Sequence, residues 1–76
     1  MWEIIEDCLT KTFSFENLKE AIEFANKITE IAEKENHHPD LLIHSYKKVK
    51  VMLKTHSEKK ITEKDYDLSK LIDQIV

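Results

Sequence analysis

Residues 33–65 read EKENHHPDLLIHSYKKVKVMLKTHSEKKITEKD, and the order of elements follows from how this stretch is cut. Asn36 tolerates the left-handed backbone that ends a helix. Pro39 then prevents the helix from resuming. His38 precedes that proline and is pushed to an extended conformation, so the adjacent His37 and His38 point in different directions and suit different tasks. Asp40 to Ser45 reads as a short strand. Lys47 to Lys54 is a clearer one, with Val49, Val51 and Leu53 on one face and Lys48, Lys50, Met52 and Lys54 on the other. By simple parity Tyr46 and His56 share the lysine face. Residues 57–61 form a turn. Thr62-Glu63-Lys64-Asp65 is a capping box with Asp in place of the usual Glu. It opens a helix over 63–75 that buries Leu68, Leu71, Ile72 and Ile75.

Working outward, Asn17-Leu18-Lys19-Glu20 is a second capping box and predicts a helix over 18–35. Leu18, Ala21, Ile22, Phe24, Ala25, Ile28, Ile31 and Ala32 mark its apolar face, which spans about half the circumference at roughly 100° per residue. That is wide for a helix lying on one sheet. The excess is either an oligomer contact or the mark of a deeply seated core helix. Phe13, Phe15 and Phe24 read as core. Residues 2–6 and 8–13 form a hairpin turning at Glu6-Asp7. The order β-β-α-β-β-α gives an α+β fold in two layers, an antiparallel four-stranded sheet covered on one face by two helices. Residues 1–76 make a single domain.

The composition excludes several classes of function. The net charge is −3, and all 12 basic residues are lysine. The lack of arginine, the usual bidentate reader of phosphate and guanine, argues against nucleic acid as the main ligand. Lys47, Lys48, Lys50, Lys54, Lys59 and Lys60 read as a solvated face and turn, with an anion-attracting patch as the lesser alternative. No apolar run approaches the roughly 20 residues of a membrane span. The start, MWEIIEDC, has acids where a secretory leader carries bases, so a cytoplasmic location is expected. Cys8 reads as a small buried residue. A chain of this size buries only about 60% of its unfolded surface, so association with further copies of itself is expected.

The stretch 33–65 also resembles the signature of the pterin-4a-carbinolamine dehydratases. That pattern runs from an acidic, basic or His residue through three spacers to His-His-Pro. An aromatic follows after five or six spacers, a His after nine more and an Asp after a further eight to fifteen. Glu33, His37-His38-Pro39, Tyr46, His56 and Asp65 meet every term, and Thr55-His56 matches the family's usual Thr-His pair. Two departures stand out. Family members commonly carry a further segment, including a helix, ahead of the first hairpin. They also usually have glycine in the turn where this chain has Glu58-Lys59-Lys60.

The resemblance implies the same two-layer fold and a dehydration. Water is removed from 4a-hydroxytetrahydropterin to give the quinonoid dihydropterin, which needs an acid near the hydroxyl and a base near a ring nitrogen. Histidine, titrating at about 6.5, suits both. By matched positions His37, His38 and His56 are the candidate catalytic residues, His38 and His56 moving protons at the hydroxyl and His37 binding or polarising the ring. Glu33, Pro39, Tyr46, Thr55 and Asp65 are candidate substrate-binding or supporting residues. Glu33, at i,i+4, either orients His37 or is a solvated helix-face residue. Asp65 is expected mainly to cap the second helix, and Tyr46 either packs beside the pterin or sits on the sheet. His44 lies outside the pattern and reads as a surface residue.

The reaction requires no cofactor and no metal, the pterin being the substrate. The partners expected are that substrate and other copies of the chain, as a homodimer or homotetramer, with no nucleic acid and no membrane. Two other functions compete. Three histidines and an aspartate are enough ligands for zinc, but the spacing fits no familiar zinc motif. A non-catalytic pterin-binding or protein-interaction module would use the wide apolar helix face instead. The physiological pterin is not fixed by the motif, which reads the ring and not its side chain.

Overall fold

A computed structural model describes residues 1–76. The elements in order are β1 (Glu3–Ile5), β2 (Cys8–Ser14), α1 (Leu18–Glu35), β3 (Asp40–His44), β4 (Lys48–Leu53) and α2 (Glu63–Gln74). The strands form one antiparallel sheet in the order β1-β2-β4-β3. The expected α+β architecture is the one observed. No helix is long and apolar enough to cross a membrane.

Local signals set the boundaries. The Asn17 side chain accepts from the Glu20 amide at 2.9 Å, and the Glu20 carboxylate reaches back to the Glu16 amide at 3.1 Å. Asn36 closes α1 in the left-handed region, at φ 52° and ψ 41°. The hairpin turn at Glu6-Asp7 has φ 50° and 64°, the paired positive values of a two-residue turn that follows the twist of its strands. Lys59, in the turn after His56, also takes a positive φ of 56°.

Strand alternation then builds the core. Val49, Val51 and Leu53 on β4 pair with Phe13, Lys11 and Leu9 on β2, placing Leu9 and Phe13 beside them on the helix side. Ala21, Phe24 and Ile28 of α1 and Leu68 and Ile72 of α2 complete one buried cluster. The wide face of α1 is only partly used. Ala21, Phe24, Ile28 and Ala32 are buried, whereas Leu18 and Ile22 remain 46% and 43% exposed.

The parity expected for Tyr46 and His56 fails because neither belongs to a strand. β4 begins at Lys48 and ends at Leu53. Tyr46 lies in the turn after β3 with φ 52°, and His56 lies in the turn bounded by the Thr55–Lys60 bridge.

One staple has no counterpart in the sequence pattern. Asp73 of α2 accepts from Trp2 Nε1 at 3.0 Å and from Lys11 Nζ at 2.8 Å, tying the first hairpin to the last helix. Burial alone would push the Asp73 carboxyl up. The hydrogen bonds from Lys11 and Trp2, with the lysine charge, outweigh it and hold the group below its ordinary 3.8. A carboxyl depressed in the folded state stabilises the fold above its unfolded value and loses that contribution as pH falls through the folded value. Stability should therefore decline below about pH 4 more steeply in the native chain than in Asp73→Asn. Urea midpoints measured from pH 6 to pH 2 check this, and parallel curves for the two proteins would refute it.

Candidate functional site

The end of α1 delivers the first histidine. After the left-handed turn at Asn36, the His37 amide bonds back to the Ala32 carbonyl at 3.1 Å, which anchors the residue to the helix terminus. The His37 side chain is 13% exposed, and its Nε2 lies 2.6 Å from Asp65 Oδ1. Asp65 is fully buried in the first turn of α2. Its Oδ2 accepts from the Thr62 amide at 2.9 Å, the capping contact that the sequence predicts, and from the Thr55 hydroxyl at 2.9 Å. Thr62 Oγ1 lies 2.6 Å from Thr55 Oγ1.

This arrangement fixes a tautomer. An ionised carboxylate has only acceptors, so His37 donates from Nε2. Nδ1 has no partner, yet the structure leaves no buried side-chain nitrogen or oxygen unpaired. Nδ1 therefore opens to solvent, and in the neutral imidazole it carries the lone pair. A hollow of about 200 Å³ is lined by Glu35, Asn36, His37, Lys64, Asp67 and Leu68. A second hollow, of about 340 Å³, is lined by Thr55, Ser57, Glu58, Thr62, Glu63 and Lys64.

Glu33 meets a different histidine from the one its spacing suggests. Its Oε2 lies 2.5 Å from His38 Nε2, and both side chains are mostly exposed. The left-handed residue at Asn36 interrupts the helical spacing, so the i,i+4 relation to His37 is lost. Asp65, 28 residues away, takes that role instead.

His56 is exposed, has no side-chain hydrogen bond, and directly follows Thr55. The Thr55 hydroxyl therefore connects the His56 turn to His37 through Asp65. Pro39 is half-buried between His38 and β3. Asp40 pairs with Met52 at this end of the sheet, while His44 pairs with Lys48 at the other. His44 lies about 13 Å along β3 from Asp40 at ~3.3 Å per residue, and Tyr46 follows it in the turn. It is 62% exposed, and the fold of this chain does not bring it to the histidines.

No three His, Cys, Asp or Glu side chains sit close enough together to share one metal ion. The largest hollow, about 630 Å³, is lined by residues including Glu3, Ile5, Thr10, Thr12, Leu42, His44 and Lys50. Of the histidines it contains only His44. Thr62 is the member of the network that sequence reading did not select. It was legible as a helix cap, but its contact with Thr55 depends on the shape of the turn between them.

A sequence model described as pterin 4 alpha carbinolamine dehydratase matches residues 1–75. A protein of Sulfolobus acidocaldarius, provisionally named a pterin-4-alpha-carbinolamine dehydratase, is 46% identical over 74 residues, covering 97% of this chain and 80% of its own. The crystal structure of a transcriptional coactivator/pterin dehydratase from Brucella melitensis superposes with a TM-score of 0.89 at 32% identity, over 97% of this chain and 80% of that one. A pterin dehydratase-like RuBisCO assembly factor of the alpha-carboxysome shares the fold, with a TM-score of 0.79 at 17% identity, over 96% of this chain and 86% of that one.

Proposed function

The chain belongs to the pterin 4 alpha carbinolamine dehydratase family, and from that premise we propose that it is a hydro-lyase acting on 4a-hydroxytetrahydropterin by histidine acid–base catalysis. The C4a–oxygen bond breaks and the hydroxyl leaves as water. A ring N–H gives up its proton, and its electron pair forms the new C=N bond of the quinonoid dihydropterin. Oxidation states balance without a redox partner, so the reaction calls for no redox cofactor.

The observation that carries this reading is the His37–Asp65 pair, a ring nitrogen fixed on a buried carboxylate while the other is left open. An imidazole held as the Nε2–H tautomer presents Nδ1 as an acceptor, which suits a ring N–H. His37 thus binds and polarises the pterin ring. His38 and His56, both exposed, move protons at the 4a-hydroxyl. Glu33 orients His38 through its contact with Nε2. Thr55 and Asp65 support the site, Pro39 holds His38 extended, and Tyr46 contacts substrate only if brought there from another copy of the chain. Self-association as a homodimer or homotetramer would cover Leu18 and Ile22 of α1. The enzyme would work in the cytoplasm, in the formation or recycling of tetrahydrobiopterin or a related reduced pterin, with no nucleic acid or membrane as partner.

The second reading is a non-catalytic pterin-binding or protein-interaction module, favoured by the same exposed apolar residues of α1. A direct assay separates the two. Freshly generated 4a-hydroxytetrahydropterin, followed by ultraviolet absorbance, should lose water about 10²-fold or more faster with the protein than alone. A rate equal to the spontaneous one would overturn the catalytic reading for that substrate.

A further inference from the structure

Two threonine hydroxyls converge behind the His37–Asp65 pair. Thr55 is buried, and its Oγ1 donates to Asp65 Oδ2 at 2.9 Å. A hydroxyl has one proton, and an ionised carboxylate oxygen only accepts. The Thr55 proton is thereby committed to Asp65. The 2.6 Å contact between the two threonine hydroxyls then runs from Thr62 to Thr55. The order Thr62, Thr55, Asp65 is forced by the proton count. The same Oδ2 also accepts from the Thr62 amide at 2.9 Å. Held twice through Oδ2, the carboxylate presents Oδ1 to His37 Nε2.

We propose that Thr55 and Thr62 are positioning residues: their hydroxyl relay fixes the Asp65 carboxylate and, through it, holds His37 as the Nε2–H tautomer with Nδ1 free for the ligand. Neither threonine touches the reacting atoms. Thr62 does this work in addition to starting α2, and its side chain and backbone reach the same carboxylate oxygen by separate paths. The kinetic consequence rests on the dehydratase reading, whereas the tautomer does not.

The test uses the full chain labelled with 15N, with His37 imidazole correlations recorded at about pH 8, above the ordinary imidazole range. Thr55→Val removes the direct donor at nearly constant shape. Thr62→Gly removes the second hydroxyl with a residue that ranks beside threonine as a helix N-cap. Thr55→Ser and Thr62→Ser keep the hydroxyls. The native chain and the serine variants should show a single Nε2–H form. Thr55→Val and Thr62→Gly should show mixed tautomers and a kcat/KM lower by roughly tenfold or more.

An unchanged His37 spectrum in both hydroxyl-free variants would overturn the proposal, as would serine variants that behave like them. If Thr55→Val fails to fold, the Thr62→Gly and Thr62→Ser pair decides. If the native chain does not accelerate dehydration, the dehydratase reading falls, and the tautomer comparison alone decides the role of the two threonines.

Discussion

Alanine at His38 or at His56 is expected to lower the dehydration rate about 10²–10⁴-fold while hardly moving the unfolding midpoint. The two effects separate because both residues are exposed. His56 makes no side-chain hydrogen bond that its removal would break. His38 loses only its contact with Glu33, and with the two side chains 55% and 69% exposed that pair is well solvated. Exposed ion pairs contribute about 0–1 kcal/mol, and surface substitutions usually stay within about ±0.5 kcal/mol. Single-turnover rates beside urea unfolding curves give the comparison. If either variant kept the native rate, its histidine would have no part in moving protons. If activity and stability fell together, the residue would be structural.

Asp65→Ala is expected to damage both properties at once. The native carboxylate accepts from His37, the Thr55 hydroxyl and the Thr62 amide. Alanine removes the acceptor of those donors, at about 1–3 kcal/mol for each buried group left unpaired. Thr55 can turn toward Thr62, so the sum should be about 2–4 kcal/mol rather than the full total. A chain of 76 residues has roughly 4–11 kcal/mol of stability in all, so this is a large share. It corresponds to a melting temperature lower by about 10 °C or more. Asp65→Asn separates shape from charge. The amide oxygen can keep the Thr62 and Thr55 contacts, but its NH2 group then faces His37 Nε2 and demands the opposite tautomer. That variant should melt closer to the native chain and still lose dehydration by at least about 10²-fold; the same exchange behind a catalytic histidine costs about 10⁴-fold in serine proteases. Full activity in Asp65→Asn would refute the assigned tautomer.

The fold was legible because its signals are short in range. Asn17 and Glu20 start α1 across three residues, Asn36 ends it by its own backbone preference, and Thr62 and Asp65 start α2 across three more. Alternation along Lys48–Leu53 orients the sheet, because side chains point to opposite faces with period two. Parity stops being a guide where the strand stops, which is why it misplaced Tyr46 and His56. The staple from Trp2 and Lys11 to Asp73 joins the two ends of the chain, and no local pattern announces it.

The candidate site divides in the same way. The sequence by itself determined the residue types and their spacing: His37 and His38 at a helix end, Thr55 and His56 after a strand, Asp65 in the first turn of a helix. Only the tertiary structure decided who meets whom. His37 pairs with Asp65 across 28 residues because α1 and α2 pack side by side on the sheet and bring the end of one to the start of the other. Glu33 pairs with His38, since one left-handed residue at Asn36 turns the chain off the helical spiral. Tyr46 is carried to the far end of the β3–β4 hairpin by strand length alone. Spacing along a chain fixes distance only within an unbroken element. Beyond a cap or a turn, the packing of the layers sets it.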